Sequence, residues 1–260
     1  MPISQFKERF MKMKDKLIIL TGPTAVGKTD LSIKLAKAVD GEIISADSIQ
    51  VYKYMDIGSA KITSEEMQGV PHHLIDVLNP DEDFNVALFK SMAKEAMDGI
   101  ISRGHIPIVT GGTGFYIQAL LYDVDFKENE DDGYRNELEE LLVRKGAGYL
   151  HEMLKSVDEK SAEDIHFNNS KKVIRALEYY HQTGEKISEH NKKERAKSSP
   201  YNFAYFVLNC DRAKLYQRIE KRVDIMLKQG LVEEVKSLTD KYRLTSDTVS
   251  MQGLGYKEIL

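Results

Sequence analysis

Cysteine occurs only once in this chain of 260 residues, at position 210, which excludes a disulfide framework and a cysteine-based zinc site. No run of 18 apolar residues is present, so no transmembrane helix is expected. The basic residues near the amino terminus are not followed by an apolar segment, which excludes a secretory signal. These absences predict a cytoplasmic protein without membrane attachment, in which residues 1–15 form an N-terminal extension.

An excess of positive charge is also lacking, because the formal net charge is −4. Whole-chain electrostatics therefore do not indicate a nucleic-acid-binding protein. The distribution is uneven, however, since eight basic residues and only four acidic ones lie between Asn168 and Lys197. This local excess could attract a polyanion, or it could be an ordinary solvated helix face. Charge alone leaves both interpretations open.

One phosphate-binding motif is present, with the pattern G-x-x-x-x-G-K-[ST]. Its residues are Gly22, Pro23, Thr24, Ala25, Val26, Gly27, Lys28 and Thr29. The motif follows an apolar run at 17–20 and precedes a helical pattern, which is the strand–loop–helix context that a P-loop requires. Glycines allow backbone N–H groups to surround a phosphate, Lys28 adds a full charge, and the Thr29 hydroxyl can bind Mg²⁺. The motif predicts a di- or triphosphate site without specifying the ligand.

Short strand-like runs alternate with helical patterns, which favours an α/β fold with a parallel sheet and helices on both faces. The predicted strands are 17–21, 42–45, 74–77, 106–110 and 204–208. Residues 86–100 have helical spacing after Asn85, a suitable N-cap. Residues 126–200 interrupt the alternation with helical patterns alone. We therefore predict a P-loop NTPase-like, nucleotide-kinase-like core at 16–125 and 201–260, with an all-helical insertion at 126–200.

Several residues could carry chemistry at the edge of this sheet. Asp47 follows a predicted strand, where it could hold Mg²⁺ through water, act as a general base, or cap the next helix. The strand 106–110 leads into Gly111 and Gly112 without the acidic residue that ATP-hydrolysing P-loop proteins carry there. Arg218 and Arg222 lie four residues apart on a predicted helix, beside a stripe of apolar residues that we predict to be buried: Leu215, Ile219, Val223 and Met226. They could neutralise a phosphate or form surface salt bridges.

The separated motifs together resemble the tRNA dimethylallyltransferases, also called tRNA isopentenyltransferases. The resemblance covers almost the whole chain from Lys16 onward. It is carried by the following segments: Gly22–Thr29, Ile44–Tyr52, Met55–Lys61, Pro71–Asp76, Gly111–Tyr116, Arg175–Glu178, Arg218–Arg222 and Gly255–Glu258. Family members continue with a basic, tryptophan-containing segment, whereas this sequence stops at Leu260 and contains no tryptophan.

The resemblance implies transfer of a dimethylallyl group from dimethylallyl diphosphate to N6 of the adenosine 3′-adjacent to the tRNA anticodon (adenosine 37), with release of pyrophosphate. It implies that the P-loop holds the donor diphosphate with Mg²⁺ at Thr29, and that the missing acidic residue is not needed. The implied catalytic residues are Asp47 as general base, Lys28, Thr113 and Arg222. The diphosphate would be bound by residues 22–29 with Arg218 and Arg222.

The resemblance also implies a set of tRNA contacts, centred on the anticodon stem-loop. These residues are Asp47, Ser48, Ile49, Gln50, Thr113, Arg135, Lys171, Lys172, Val173, Ile174 and Arg175. We expect a monomer that needs no membrane. The alternative from the residues alone is a P-loop kinase acting on a nucleotide or small molecule, and a P-loop protein that binds tRNA without catalysis is a third interpretation.

Overall fold

The computed structural model describes residues 15–124 and 133–260. The first range contains β1 (Lys16–Thr21), α1 (Lys28–Val39), β2 (Gly41–Ser45), α2 (Ser64–Met67), β3 (His72–His73), α3 (Val86–Ser102), β4 (Ile106–Gly111) and α4 (Gly114–Leu121). The second contains α5 (Tyr134–Lys145), α6 (Ala147–Val157), α7 (Glu159–Asp164), α8 (Ser170–Thr183), α9 (Ile187–Ala196), β5 (Asn202–Val207), α10 (Arg212–Gln229), α11 (Leu231–Tyr242) and a short 3₁₀ helix (Val249–Gln252).

The five strands form one parallel sheet with the order β3-β2-β4-β1-β5. The P-loop strand β1 therefore lies between β4 and β5, and β2 is the next strand beyond β4. In a parallel sheet the carboxyl ends of all strands meet at one edge, which is where ligands bind in open α/β folds. The predicted α/β fold is confirmed, including the P-loop position between β1 and α1.

Alternation along the strands divides the core between the two faces of the sheet. Ile43 and Ile108 pair across β2 and β4 and pack with Ile33 of α1. Their neighbours Ile44 and Val109 lie in the other core cluster, which also contains the buried residues of α3, α4 and α11. Asn85 caps α3 as predicted, because its Oδ1 accepts a hydrogen bond from the Leu88 N–H at 2.9 Å. Helices thus cover both faces, as near-continuous apolar strands require.

The predicted strand at 74–77 was wrong in position, because β3 consists of His72 and His73 only. Leu74 and Asp76 have left-handed backbone conformations, with φ of 62° and 55°. Such residues cannot continue an extended strand, so the apolar composition of this run misled the prediction. The last strand, β5, begins two residues before the predicted start at 204.

The chain divides into two compact units. One ends at Asp123 and resumes over Ser199–Leu260, and it contains the sheet. The other is Val124–Ser198 and contains α5–α9 around a core that includes Leu138, Leu150 and Leu177. These divisions lie two residues from the boundaries predicted for the insertion. The predicted extension at 1–15, except Asp15, lies outside the described residues, as do residues 125–132.

Within 15–124 and 133–260, no helix combines the length and the apolarity that a bilayer span demands.

A buried carboxylate joins the sheet to the end of α3 and makes stability depend on pH. Glu42 accepts two hydrogen bonds from Arg103, at 2.9 and 2.7 Å, and lies 2.7 Å from His73 Nε2. The Arg103 hydrogen bonds lower the pKa of Glu42 from 4.5 to about 2, against the opposing effect of burial. The folded state therefore favours the ionised form. The resulting stability is present above the unfolded pKa of 4.5 and is lost as the pH falls towards 2.

We expect Glu42→Gln to reduce this pH dependence. The shift corresponds to about 3 kcal/mol at most, and solvent screening at the half-exposed Arg103 reduces the figure to about 2 kcal/mol. Urea unfolding at pH 5.5 and pH 3 should therefore show a smaller loss of stability for the variant than for the parent chain. The difference should be about 1 kcal/mol, because part of the stabilisation remains at pH 3, above the folded pKa of about 2. An equal loss in both proteins would contradict this assignment.

Candidate functional site

A polar cavity of about 280 Å³ lies where the P-loop meets the carboxyl ends of β1 and β2. Its volume is at the lower end of the range for ligand pockets, roughly 300–1,000 Å³, which suits a small polar group. The lining residues come from the P-loop, from the two segments that follow β2, and from α10. They are Thr24, Ala25, Gly27, Lys28, Thr29, Asp30, Asp47, Gln50, Ser59, Ala60 and Arg222.

The P-loop has the backbone conformation of an anion cradle. Ala25 and Gly27 have φ of 60° and 101°, so the chain folds back on itself before α1 begins at Lys28. Gly22 allows the close approach of β5, because a Cβ there would lie 2.6 Å from the Leu208 carbonyl oxygen. Lys28 Nζ donates hydrogen bonds to the carbonyl oxygens of Gly22 and Pro23, both at 2.9 Å. The loop and the helix N-terminus together can bind a phosphate.

Three charged groups from distant parts of the sequence influence one another in this cavity. Burial lowers the pKa of Lys28, while Asp47 raises it and Arg222 lowers it further. Burial likewise lowers the pKa of Arg222, and Asp47 opposes that effect. The Arg222 guanidinium also lies 3.3 Å from the Thr24 hydroxyl of the P-loop. Two partly desolvated cations thus line the cavity, and Asp47 is the carboxylate that interacts with both of them. An incoming anion would interact favourably with these two cations.

Asp47 combines a local structural role with access to the cavity. Its Oδ1 accepts hydrogen bonds from the backbone N–H groups of Ile49 and Gln50, at 2.9 and 3.2 Å. The helix-capping alternative considered from the sequence was wrong, because no helix begins between Asp47 and Ser64. The two hydrogen bonds hold the turn that follows β2 instead. Among the described residues, the second oxygen takes part in no hydrogen bond. That oxygen provides a proton acceptor beside Lys28 and Arg222.

The turn after β4 explains the missing acidic residue. The Ala46 N–H donates to the Thr110 carbonyl oxygen at 2.7 Å, and a Cβ at position 111 would overlap the Ala46 carbonyl. A side chain at position 111 would therefore push apart the end of β4 and the backbone that follows β2. Thr113 begins the next turn as the N-cap of α4, is half-buried, and does not line the cavity.

The two arginines of α10 have different surroundings. Arg222 is half-buried and lines the cavity, whereas Arg218 is exposed and does not. The less exposed stripe of this helix contains Leu215, Ile219 and Met226, all of them half-buried, and Arg222 lies on this stripe. Val223, which we predicted to be buried, is 44% exposed. One turn of helix thus places Arg222 in the cavity wall and leaves Arg218 exposed to solvent.

Three lining residues were given no role by the sequence analysis. Asp30 follows the P-loop directly, and Ser59 and Ala60 belong to the segment Met55–Lys61. This segment carried part of the family resemblance, and its glycine was the only signal of a close backbone approach. Gln50 links it to the cavity, because its Nε2 lies 3.3 and 3.4 Å from the carbonyl oxygens of Ser59 and Ala60.

The remaining predicted residues near the sheet have mainly structural surroundings. Ser48 is half-buried, and Ile49 packs against the core beside Gly253. His72 Nδ1 lies 2.8 Å from the Val70 carbonyl oxygen, and His73 contacts Glu42. Throughout the described ranges, no group of three or more His, Cys, Asp or Glu side chains could hold a metal ion. A magnesium ion here would have to share its ligands with a bound phosphate.

The helical unit presents basic groups on α5 and α8. Lys171 and Lys172 are exposed in the first turn of α8. Arg135 donates to the buried Glu178 at 3.1 and 2.7 Å, and Arg175 donates to the same carboxylate at 3.1 Å. The Arg135 hydrogen bonds, opposed by burial, lower the pKa of Glu178. One carboxylate therefore holds two half-exposed guanidinium groups beside each other.

The side chains of Val173 and Ile174 cannot belong to an RNA-binding surface. Both are buried in the core of the helical unit, at 1% and 4% exposure. The helical period explains the correction, because residues adjacent in sequence point in directions about 100° apart. Their neighbours Lys171, Lys172 and Arg175 lie on the exposed face.

The chain is similar to several known proteins. Residues 50–260 match the model of a family described as IPP transferase, and residues 15–79 match one described as isopentenyl transferase. A curated tRNA dimethylallyltransferase of Lachnoclostridium phytofermentans is 61% identical over 244 residues, which are 94% of this chain and 78% of that protein.

Solved structures are similar as well. A tRNA isopentenylpyrophosphate transferase of Staphylococcus epidermidis is 46% identical with a TM-score of 0.64, over 95% of this chain and 80% of that one. The full-length enzyme of Bacillus halodurans is also 46% identical, with a TM-score of 0.67 over 95% and 76%. A eukaryotic dimethylallyltransferase acting on tRNA is 31% identical, with a TM-score of 0.79 over 94% of this chain and 62% of that one.

Proposed function

Because the chain belongs to the IPP transferase family, we propose that it transfers a dimethylallyl group from dimethylallyl diphosphate to tRNA. The observation that carries the proposal is the single cavity in which the P-loop, Lys28, Arg222 and Asp47 meet. A prenyl transfer needs a cradle for the departing diphosphate, cations that neutralise it, and an acceptor for the proton that the nucleophile loses. The cavity contains all three.

The reaction breaks the bond between the allylic carbon and the diphosphate oxygen, and the electron pair leaves with pyrophosphate. A new bond forms between that carbon and N6 of the adenosine 3′-adjacent to the anticodon. The amine then loses a proton, which the free oxygen of Asp47 accepts. Since negative charge develops on the leaving group, Lys28, Arg222 and the P-loop N–H groups stabilise the transition state.

Magnesium fits the oxygen ligands of this cavity. The Thr29 hydroxyl follows the P-loop lysine, and the carboxylates of Asp30 and Asp47 line the same space. Mg²⁺ prefers such ligands together with phosphate oxygens and retained waters. When bound, the ion would neutralise part of the diphosphate charge. Lys28 and Arg222 bind and orient the same group through their own charges.

The acceptor adenine must leave its stack to reach the cavity, as in other enzymes that modify a base. Gln50 and Thr113 lie at or near the sheet edge that carries Asp47, and we propose that they contact this nucleotide. Lys171, Lys172, Arg135 and Arg175 would bind the phosphates of the anticodon stem. We propose that the reaction takes place in the cytoplasm.

The basic face of α8 can be tested through the salt dependence of RNA binding. Lys171→Ala combined with Lys172→Ala removes two charges, so the slope of log Kd against log salt concentration should decrease by about 1–2. The measurement is titration of an anticodon stem-loop at several salt concentrations. Lys155→Ala with Lys160→Ala removes two exposed lysines from the same unit and serves as the control. An unchanged slope in the Lys171/Lys172 variant would remove this face from the RNA interface.

A transfer assay tests the function as a whole and separates it from the kinase alternative, which the comparisons do not favour. Labelled dimethylallyl diphosphate should label a stem-loop that has adenosine 3′ of the anticodon, and should not label one with uridine there. Dimethylallyl diphosphate with Mg²⁺ should raise the melting temperature more than ATP does. Stronger stabilisation by ATP, together with no transfer of label, would support a kinase instead.

A further inference from the structure

One carboxylate of α11 holds the backbone of a distant segment by direct hydrogen bonds. Glu234 Oε2 accepts from the N–H groups of Asp56 and Ile57, at 3.0 and 2.8 Å. Its Oε1 accepts from the Gly58 N–H at 3.1 Å and from the Tyr256 hydroxyl at 2.7 Å. A carboxylate has about four acceptor sites, so Glu234 is fully used. Three consecutive N–H groups bound to one charge leave the segment little freedom.

The glycine of this segment is required by the same contact. A Cβ at Gly58 would lie 2.6 Å from two atoms of the Tyr256 ring and 2.9 Å from Leu231 Cδ1. Tyr256 is completely buried, so its ring cannot move aside. The backbone therefore lies against the aromatic ring, whose hydroxyl is bound to Glu234. Packing and hydrogen bonding fix the same three residues.

The far end of the segment is held independently. Lys61 Nζ donates to the Tyr52 carbonyl oxygen at 2.6 Å and to the carboxylates of Asp56 and Asp76, at 2.6 and 2.5 Å. Its side chain is only 5% exposed. Ser59 and Ala60, which lie between the two anchors, line the cavity that contains Lys28 and Arg222. The position of the Ser59–Ala60 wall is thus fixed by contacts that Glu234 and Lys61 make outside the cavity.

We propose that Glu234, supported by Tyr256, is a positioning residue for the donor site, because it sets the distance between the Ser59–Ala60 wall and the P-loop. The inference rests on the proposed binding of a diphosphate in this cavity. Glu234 does not line the cavity, so it acts only through the segment that it holds. Loss of its charge should let the wall move, and displacements of about 1 Å at a reacting group can cost about 100-fold in rate.

The test is Glu234→Gln. Glutamine has the same size, but its NH₂ group would face backbone N–H donors and could not accept their hydrogen bonds. We expect KM for dimethylallyl diphosphate and Kd for inorganic pyrophosphate with Mg²⁺ to increase about tenfold or more. KM for tRNA should stay within about twofold, because the helical unit is untouched. Tyr256→Phe removes one of the four hydrogen bonds and keeps the ring, so its effect should have the same sign and be smaller.

The matched control is Leu238→Ala, which removes a buried side chain from the same helix and leaves the four hydrogen bonds of Glu234 in place. Measured where all variants are folded, it should leave both constants for the donor unchanged. The proposal is overturned if Leu238→Ala raises them as much as Glu234→Gln does, or if Glu234→Gln leaves them unchanged. If Glu234→Gln does not fold, Glu234→Asp replaces it, because aspartate keeps the charge on a shorter side chain. The same criteria then apply to Glu234→Asp.

A second comparison separates this inference from the proposed function. Lys28→Ala should weaken pyrophosphate binding in every case if the cavity is the diphosphate site. If Lys28→Ala weakens binding and Glu234→Gln does not, only the positioning role is lost. If Lys28→Ala has no effect either, the diphosphate assignment itself fails.

Discussion

Replacing Asp47 with asparagine is expected to lower kcat for prenyl transfer by a factor of about 10²–10⁴, the usual range for loss of a general base. Asparagine retains an Oδ1 that can accept the hydrogen bonds from Ile49 and Gln50. The local turn should therefore persist, and only the ability to accept a proton is removed. The measurement is single-turnover transfer of label to the anticodon stem-loop with saturating donor.

Comparison with Asp47→Ala distinguishes the chemical role from the role in holding the turn. Alanine removes both the base and the acceptor of the two turn hydrogen bonds, so it should lower kcat as much as asparagine does and also reduce stability, by roughly 1 kcal/mol. If Asp47 only held the turn, the asparagine variant would have the kcat of the parent chain and only the alanine variant would be impaired. Asp98→Asn makes the same change of charge at an exposed position on α3 and should leave kcat unaltered.

Lys28→Ala should weaken the binding of pyrophosphate with Mg²⁺ by about 10- to 150-fold. The physical reason is the loss of a charge-assisted hydrogen bond to the phosphate, which is worth about 1.5–3 kcal/mol. The rate of transfer should also fall, because the same ammonium group neutralises the leaving group. Isothermal titration gives the first quantity and single-turnover kinetics the second.

The control for this prediction is Lys34→Ala on the exposed side of the same helix, which should change neither quantity. Lys28 also donates to two carbonyl oxygens of the P-loop, so its removal could loosen the loop itself. A melting temperature recorded without ligand measures that effect separately. Pyrophosphate binding equal to that of the parent chain would show that the P-loop does not bind the diphosphate.

The charges of the cavity indicate how binding and chemistry are connected. Burial lowers the pKa of both Lys28 and Arg222, so part of their charge is poorly solvated before a ligand arrives. A bound diphosphate would compensate the lost solvation of these two charges. Its negative charge would also reduce the repulsion between the two cations. The charge of Asp47 opposes this lowering of the pKa in both groups.

Some parts of the site could be predicted from sequence because they depend on neighbouring residues. The P-loop is such a part, since the spacing of Gly22, Gly27 and Lys28 dictates a local backbone path before a helix. The Asn85 cap is another, because a cap needs only its own helix. The basic face of α8 was recognisable as a charge excess, although the helical period also buries Val173 and Ile174 within the same run.

Other features depended on contacts between residues far apart in the chain. Arg218 and Arg222 look equivalent in sequence, and only the tertiary structure places Arg222 beside Thr24 of the P-loop. The apolar run after His73 could have been a strand, but two left-handed residues end it. Nothing local in the sequence distinguishes Glu234 from Glu233 as the residue that binds the segment at 56–58.

The sequence by itself thus determined the phosphate cradle, the alternation of strands and helices, the helical insertion and the family resemblance. These follow from short-range backbone preferences and from the period of apolar residues. The tertiary structure alone decided which charges share the cavity and which carboxylate holds its wall. Those relations join residues separated by up to about 200 positions. They depend on how helices pack on the sheet, and no local pattern encodes that packing.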